Sequence, residues 1–257
     1  MPKITIGELD INYQIKGTGD PLLLIIGLSL SLLDWGIELP QLLSKHYKVI
    51  LFDNRDAGET SESPHPYTIA QMADDAANLL DSLGEPRASV FGVSMGGMIA
   101  QHFALNHADK LNKLILGCTA AGGTCSKFGD VSGFLTGNLL DLLFTPQFIQ
   151  SHQPDLTNFF QTTTPFHSQG TALQRQLQAM STHDTCNLLG KITAPTLVMT
   201  GDRDLVIPPE NSDLLAQKIP GAQQVTITDA SHGFCFSHPD DTATAVINFL
   251  KSEGIDG

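Results

Sequence analysis

The chain is short of positive charge. Its 14 Lys and Arg stand against 27 Asp and Glu, a formal net charge of −13. A surface so acidic has no basic patch with which to neutralise phosphates, so nucleic acid is not an expected partner. The acidic excess reads instead as a solubility feature. Long apolar runs are missing too. The longest, Pro21 to Leu33, is interrupted by Gly27, Ser29 and Ser31, and a bilayer span needs about 20 apolar residues. No membrane span is therefore expected. The opening Met1-Pro2-Lys3-Ile4-Thr5 carries no apolar signal segment. Cysteine is limited to Cys118, Cys125, Cys186 and Cys235, at no metal-ligand spacing and without a C-x-x-C pair. The expectation is four reduced thiols in a cytoplasmic protein. Internal repeats, low-complexity linkers and a glycine-rich phosphate loop ending in Lys-Ser or Lys-Thr are likewise absent. Neither a metal nor a cofactor is expected.

What is present is a large apolar fraction in an ordered alternation. With 41% hydrophobic residues in 257, the chain can bury a sizeable core, in one or two domains. Lys3 to Ile6 and Leu9 to Lys16 alternate in hydrophobicity as two antiparallel strands would. Leu22–Ile26 and Tyr47–Phe52 are continuous apolar runs, the mark of strands buried on both faces. Arg87–Val93, Leu111–Gly117, Thr196–Thr200 and Gln223–Thr228 complete the set of strands. Helical spacing of apolar residues marks Trp35–Lys45, Tyr67–Leu83, Pro209–Ile219 and Pro239–Lys251. Strands alternating with helices imply a parallel sheet covered on both faces. Between Thr119 and Gly190 the alternation stops. Helices are expected there at 131–144, 146–152, 155–161 and 170–182, with no strand. Such a block is an insertion at the carboxyl end of the sheet, where open α/β folds bind ligands.

One stretch stands out within this frame. Gly92-Val93-Ser94-Met95-Gly96 follows an apolar strand and opens a helix, a G-x-S-x-G pattern at a strand–turn–helix junction. To stand above the sheet, Ser94 must adopt a strained backbone conformation, and the crowded turn leaves no room for a Cβ at the two glycines. A serine hydroxyl becomes nucleophilic only when a base takes its proton and a third group orients that base. Gly201-Asp202-Arg203-Asp204 leaves one buried strand and Ser231-His232-Gly233 leaves the last one. An acid at Asp202 or Asp204 and a base at His232 would therefore meet Ser94 at the sheet's carboxyl edge. The other histidines lie on the helix after Ser94 (His102, His107) or in loops and helix caps, as surface or structural residues do. The turn Asp53-Asn54-Arg55-Asp56-Ala57-Gly58 reads as structural.

On these residues, together with Pro195-Thr196-Leu197-Val198, the chain resembles an α/β-hydrolase of the esterase, lactonase and non-haem haloperoxidase type. The similarity extends over most of the chain. It implies a mostly parallel eight-stranded sheet with helices on both faces and a helical cap insertion. Residues 1–118 and 191–257 would form the hydrolase core and 119–190 the cap. In that family the acid is the fourth residue of the G-x-x-D turn, which is Asp204 here and leaves Asp202 to cap the turn. The resemblance assigns the backbone N–H groups of Leu28 and Met95 to the oxyanion hole. One departure concerns the first of these, since the family's usual His-Gly is Ile26-Gly27 in this chain. The backbone donor survives that change; the bracing of its loop is what the change alters.

The insertion carries Phe134, Phe144, Phe159 and Phe160 as candidate pocket walls, and its charges are few: Lys127, Asp130, Asp141, Asp155, Arg175 and Asp184. An apolar slot without an arginine clamp favours small to medium neutral esters over dicarboxylates. The expected activity is carboxylic-ester hydrolysis through Ser94, His232 and Asp204 and an acyl-enzyme, with a small-molecule ester as partner and the chain a monomer or homodimer. A lactonase, a C–C bond hydrolase or a perhydrolase would use the same three residues. A non-enzymatic receptor of the same fold is the alternative from another class.

Overall fold

The structure, a computed structural model, describes residues 1–129 and 139–252. Eight strands form one sheet: β1 (Lys3–Ile6), β2 (Leu9–Lys16), β3 (Pro21–Ile25), β4 (Lys48–Phe52), β5 (Ala88–Val93), β6 (Leu111–Gly117), β7 (Thr196–Gly201) and β8 (Gln223–Ile227). Their order is β1-β2-β4-β3-β5-β6-β7-β8. The first two are antiparallel, with Ile4 opposite Ile11, and β2 also runs antiparallel to β4. Every pairing from β4 to β8 is parallel. The continuous apolar strands are the central ones: Leu22 to Ile25 in β3 and Val49 to Phe52 in β4 are all buried.

Helices cover both faces. On one lie α2 (Ile69–Ser82), α3 (Met95–Asn106) and α7 (Glu210–Lys218), which pack Met72, Leu79, Ile99, Phe103 and Leu215 onto the sheet. Thr68 caps α2 in a reciprocal box with Gln71, satisfying N–H groups that the first turn leaves unpaired. On the other face α1 (Glu38–Leu43) and α9 (Pro239–Lys251) bury Leu39, Leu43, Val246 and Phe249 around Trp35. Trp35 packs on Phe91 with ring centroids 5.4 Å apart. The single helix expected over 35–45 is divided: a 3-10 turn, Leu32–Trp35, stops at Gly36 (φ 70°) before α1 begins.

Between β6 and β7 the described chain forms α4 (Leu140–Leu143), α5 (Pro146–Thr163) and α6 (Gly170–Ser181) and no strand. The expected 131–144 helix is described only over α4; its remainder lies outside the described residues. The two short helices expected at 146–152 and 155–161 form one helix with a break at His152 (φ −122°, ψ 16°). Pro154 explains the break, because it offers no N–H to the preceding turn and its ring collides with that turn's carbonyl. Leu139, Leu143, Phe144 and Leu156 form a small core of their own. Polar stitches then hold this segment to the sheet loops: Ser168 N–H donates to Ser29 O (2.8 Å), and Gly58 N–H to Phe166 O (2.9 Å). Arg175 grips Asp56 with two bonds of 2.8 Å. Asp56 also accepts from Tyr67 Oη, which makes the 53–58 turn structural as expected.

The expectation of four reduced thiols is corrected. Cys125 and Cys186 form a disulfide, 61 residues apart in sequence. Cys125 follows β6 and Cys186 precedes β7, and the Gly122–Asp184 antiparallel bridge draws the two passages together. Their Cα atoms are 6.3 Å apart, within reach of a disulfide. Spacing along the chain carries no trace of that closure. It also removes the support that free thiols lent to a cytoplasmic location. Cys118 and Cys235 are free. Among the described residues no helix is long and apolar enough to cross a membrane.

Candidate active site

The turn after β5 places Ser94 at φ 55°, ψ −123°, a left-handed conformation that few non-glycine residues hold. The surroundings enforce it. Ser94 N–H donates to Gly117 O (2.9 Å), and Thr119 Oγ1 donates to Ser94 O (2.7 Å). A Cβ on Gly92 would come within 2.1 Å of Gly96 O, and one on Gly96 within 2.0 Å of Ile25 O. Helix α3 thus lies so close to β3 and β5 that only glycine fits at either position. Met95 is its first residue, where helical N–H groups lack intrahelical partners and the helix dipole is positive.

Two further strand exits meet this turn. Asp204, buried after β7, takes N–H bonds from Val206 and Ile207 on Oδ1, both 2.9 Å, and presents Oδ2 to His232 Nδ1 at 2.8 Å. A carboxylate accepts, so Nδ1 carries a proton and, in the neutral ring, Nε2 is bare. That Nε2 is buried without a hydrogen-bond partner. Ser94 and His232 line one cavity, yet no hydrogen bond joins them among the described residues. The bond between a nucleophile and its base is often long in an empty site. Asp202 lies apart, accepting from Ala230 N–H at 3.2 Å and tying the two loops together.

Leu28 borders the same cavity on the loop after β3, and neither its N–H nor that of Met95 has an acceptor among the described residues. The loop is braced by groups that sequence reasoning missed. Asn54 Nδ2 donates to Ile26 O (3.0 Å). Gln176, fully buried on α6, accepts from Ser29 N–H (2.8 Å) and donates to Arg55 O (3.0 Å). The one available signal was a glutamine within the apolar stripe of a helix.

The cavity encloses about 60 Å³. Phe144, Phe159 and Phe160 line it as expected, whereas Phe134 lies outside the described residues. Trp35, Cys118 and Phe236 line it as well and were not foreseen. Cys118 Sγ, a carboxylate oxygen of Asp204 and an imidazole nitrogen of His232 lie within 4.8 Å of one another. These are poor metal donors as they stand. Burial, then the charge of Asp204, holds the Cys118 thiol protonated, and Asp204 is already bonded to His232 and two N–H groups. Burial likewise raises the Cys235 thiol. Neither Arg175 nor Lys127 lines the cavity, Arg175 being held by Asp56 and Glu62. His183 sits farther off, at the base of the β6–β7 segment, beside His102 (3.3 Å).

The family described as alpha/beta hydrolase fold matches residues 20–143 and 131–239. The chain is 32% identical to a poly(3-hydroxyalkanoate) depolymerase from Ectopseudomonas oleovorans, over 91% of this chain and 85% of that protein. Two solved structures share the fold over nearly its whole length. A thermophilic esterase from Thermogutta terrifontis, solved with malate bound, has a TM-score of 0.84 at 29% identity, covering 96% of this chain and 95% of that one. The enol-lactonase from Burkholderia xenovorans LB400 has a TM-score of 0.86 at 27% identity, covering 98% and 100%.

Proposed function

Because the chain belongs to the α/β-hydrolase fold family, we propose that it is a serine hydrolase of small to medium neutral carboxylic esters. Residues 1–118 and 191–257 serve as the hydrolase core and 119–190 as the cap over it. The observation that carries this reading is the bare, buried Nε2 of His232, in the wall of the cavity that Ser94 lines and without a partner of its own. An unsatisfied buried nitrogen is costly unless function retains it.

In this reading His232 Nε2 takes the proton of Ser94 Oγ as the oxygen attacks the ester carbonyl. Asp204 holds the ring through Nδ1 and stabilises the imidazolium. The N–H groups of Leu28 and Met95 receive the oxyanion, the second with the positive end of α3 behind it. His232 then protonates the leaving alcohol, and in a second half-reaction it activates the water that releases the acid. A cavity of about 60 Å³ suits a short acyl group. Among the described residues of its wall Asp34 is the carboxylate, and it is engaged by His167 at 2.9 Å.

The similarity to an enol-lactonase favours one second reading, hydrolysis of a lactone by the same three residues. The test is steady-state turnover of p-nitrophenyl butyrate alongside a panel of lactones, with mass spectrometry of the protein after treatment with an alkyl phosphonate. Sustained ester turnover and a phosphonyl adduct on Ser94 are expected. Turnover confined to lactones would move the second reading ahead, and one slow burst followed by tight retention would indicate a receptor.

A further inference from the structure

Behind the cavity at Ser94 lies a larger one, of about 340 Å³. The two share Trp35, Phe159, Cys235 and Phe236 as a common wall. The rings of Phe159 and Phe236 pack against each other in that wall, tilted by 48° with centroids 4.5 Å apart. Both residues are half-buried. Phe144 and Phe160 belong to the inner cavity alone. The outer chamber is lined by Leu39, Phe148 and Leu156, with the side chain of Ile37, 74% exposed, also on its lining. Beyond the shared wall its ionisable residues are Glu38, His152 and Asp155; no lysine or arginine lines it. The wall hangs on the break at His152, where α5 changes direction and carries Phe159 toward Phe236.

We propose that the outer chamber is a second subsite for the distal part of a neutral acyl chain, and that Phe159 and Phe236 set the acyl-length limit by closing it off. The inference rests on the ester-hydrolase reading. The inner cavity has room for only a few carbons, while the outer one holds several times that volume. Three of the four residues they share, Trp35, Phe159 and Phe236, are aromatic. A methylene that passes the wall leaves water for an apolar lining, worth about fourfold in affinity. A chain ending in a carboxylate would meet Glu38 and Asp155 with no lysine or arginine on the lining to pair with it.

The test compares wild type, Phe159→Ala, Phe236→Ala and, as a control that enlarges only the inner cavity, Phe160→Ala. The first measurement is kcat/KM for p-nitrophenyl butyrate and p-nitrophenyl octanoate. The octanoate-to-butyrate ratio should rise at least about tenfold in either wall variant and less than about threefold in Phe160→Ala. The second measurement needs no turnover. The chain has 1 Trp, and it stands in the shared wall, so quenching of Trp35 reports binding of 1-octanol and 1-butanol directly. Their affinity ratio should shift in parallel with the ester ratio, and 8-hydroxyoctanoate should gain less than about threefold. Unchanged alkanol and ester ratios in both wall variants would overturn the proposal, as would an equal rise in Phe160→Ala. Absence of ester turnover with the alkanol shift intact would sink the ester-hydrolase reading and leave the subsite standing. Phe159→Leu, a smaller truncation, should give an intermediate ratio where an alanine variant folds poorly.

Discussion

The three residues of the proposed chemistry and the residues of the pocket wall are held in different ways. Ser94, Asp204 and His232 are all buried, on loops leaving β5, β7 and β8. Sheet hydrogen bonds anchor the strands from which those loops leave. Phe144, Phe159 and Phe160 belong to a segment whose main helix, α5, buries only Leu156 and Thr163 of its 18 residues. Backbone ladders fix the first group; side-chain packing and a few polar stitches fix the second. Damage at the strand ends should therefore slow every substrate alike, and damage in the helical segment should sort substrates from one another.

The largest effects test the first half of that contrast. Ser94→Ala should lower kcat by at least about 10⁴-fold on every ester without moving Tm, leaving the residual rate that oxyanion donors alone provide. Asp204→Asn should cost a similar factor by stabilising the wrong imidazole tautomer, and Asp202→Asn less than about tenfold. A larger loss at Asp202 would reverse the assignment of the acid. Next comes charge discrimination by the helical segment. Methyl butyrate should exceed monomethyl succinate in kcat/KM by about 10²–10³-fold, since the extra carboxylate would be desolvated without a cationic partner. Preference for the succinate would show that the pocket holds a cationic anchor.

Gln176 is the place where the contrast should break. It stands on α6 yet braces the loop that carries Leu28. Gln176→Ala should reduce kcat by about tenfold to a hundredfold with little change in KM, as misplacement of an oxyanion donor does. An effect on KM alone would make it an ordinary packing residue. A separate effect, on stability, concerns acid. Burial, reinforced by neighbouring His102, lowers the pKa of His183 to about 4. Folded protein thus keeps His183 neutral where the unfolded chain, titrating near 6.5, binds a proton. Its contribution is complete above pH 6.5 and declines as pH falls toward 4, by about 3 kcal/mol in all. Urea unfolding at pH 7 and pH 4.5 should show a smaller acid loss in His183→Gln than in wild type; equal losses would remove His183 as the cause.

Legibility in the sequence follows the same division. All eight strands form within two residues of where sequence patterning places them, and the central ones are the plainest, because a strand buried on both faces must be apolar throughout. The residues at strand exits were legible for the same reason, topology alone bringing those loops to one edge. The carboxylate that meets His232 is the one that the family resemblance picked out between Asp202 and Asp204. Contacts between distant parts of the chain were not legible. Phe236 and Trp35 enter the pocket from separate elements, Gln176 reaches Ser29 across 147 positions, and Cys125 finds Cys186 across 61. None of these leaves a local period or spacing. The break in α5 was half legible, since Pro154 divides the pattern without stating that the two halves remain one helix.

The disulfide between Cys125 and Cys186 turns the helical segment into a closed ring of chain. In an unfolded protein, tying a 61-residue loop at its neck removes configurations worth about 4 kcal/mol by the loop-entropy estimate. A more local consequence follows for the native state. Helices inside the ring can part from the sheet while its neck stays fastened beside β6 and β7, so such an excursion has a short way back. A protease that cuts once within the ring would not release a fragment either. The two pieces would travel as a single species until a thiol reductant separated them.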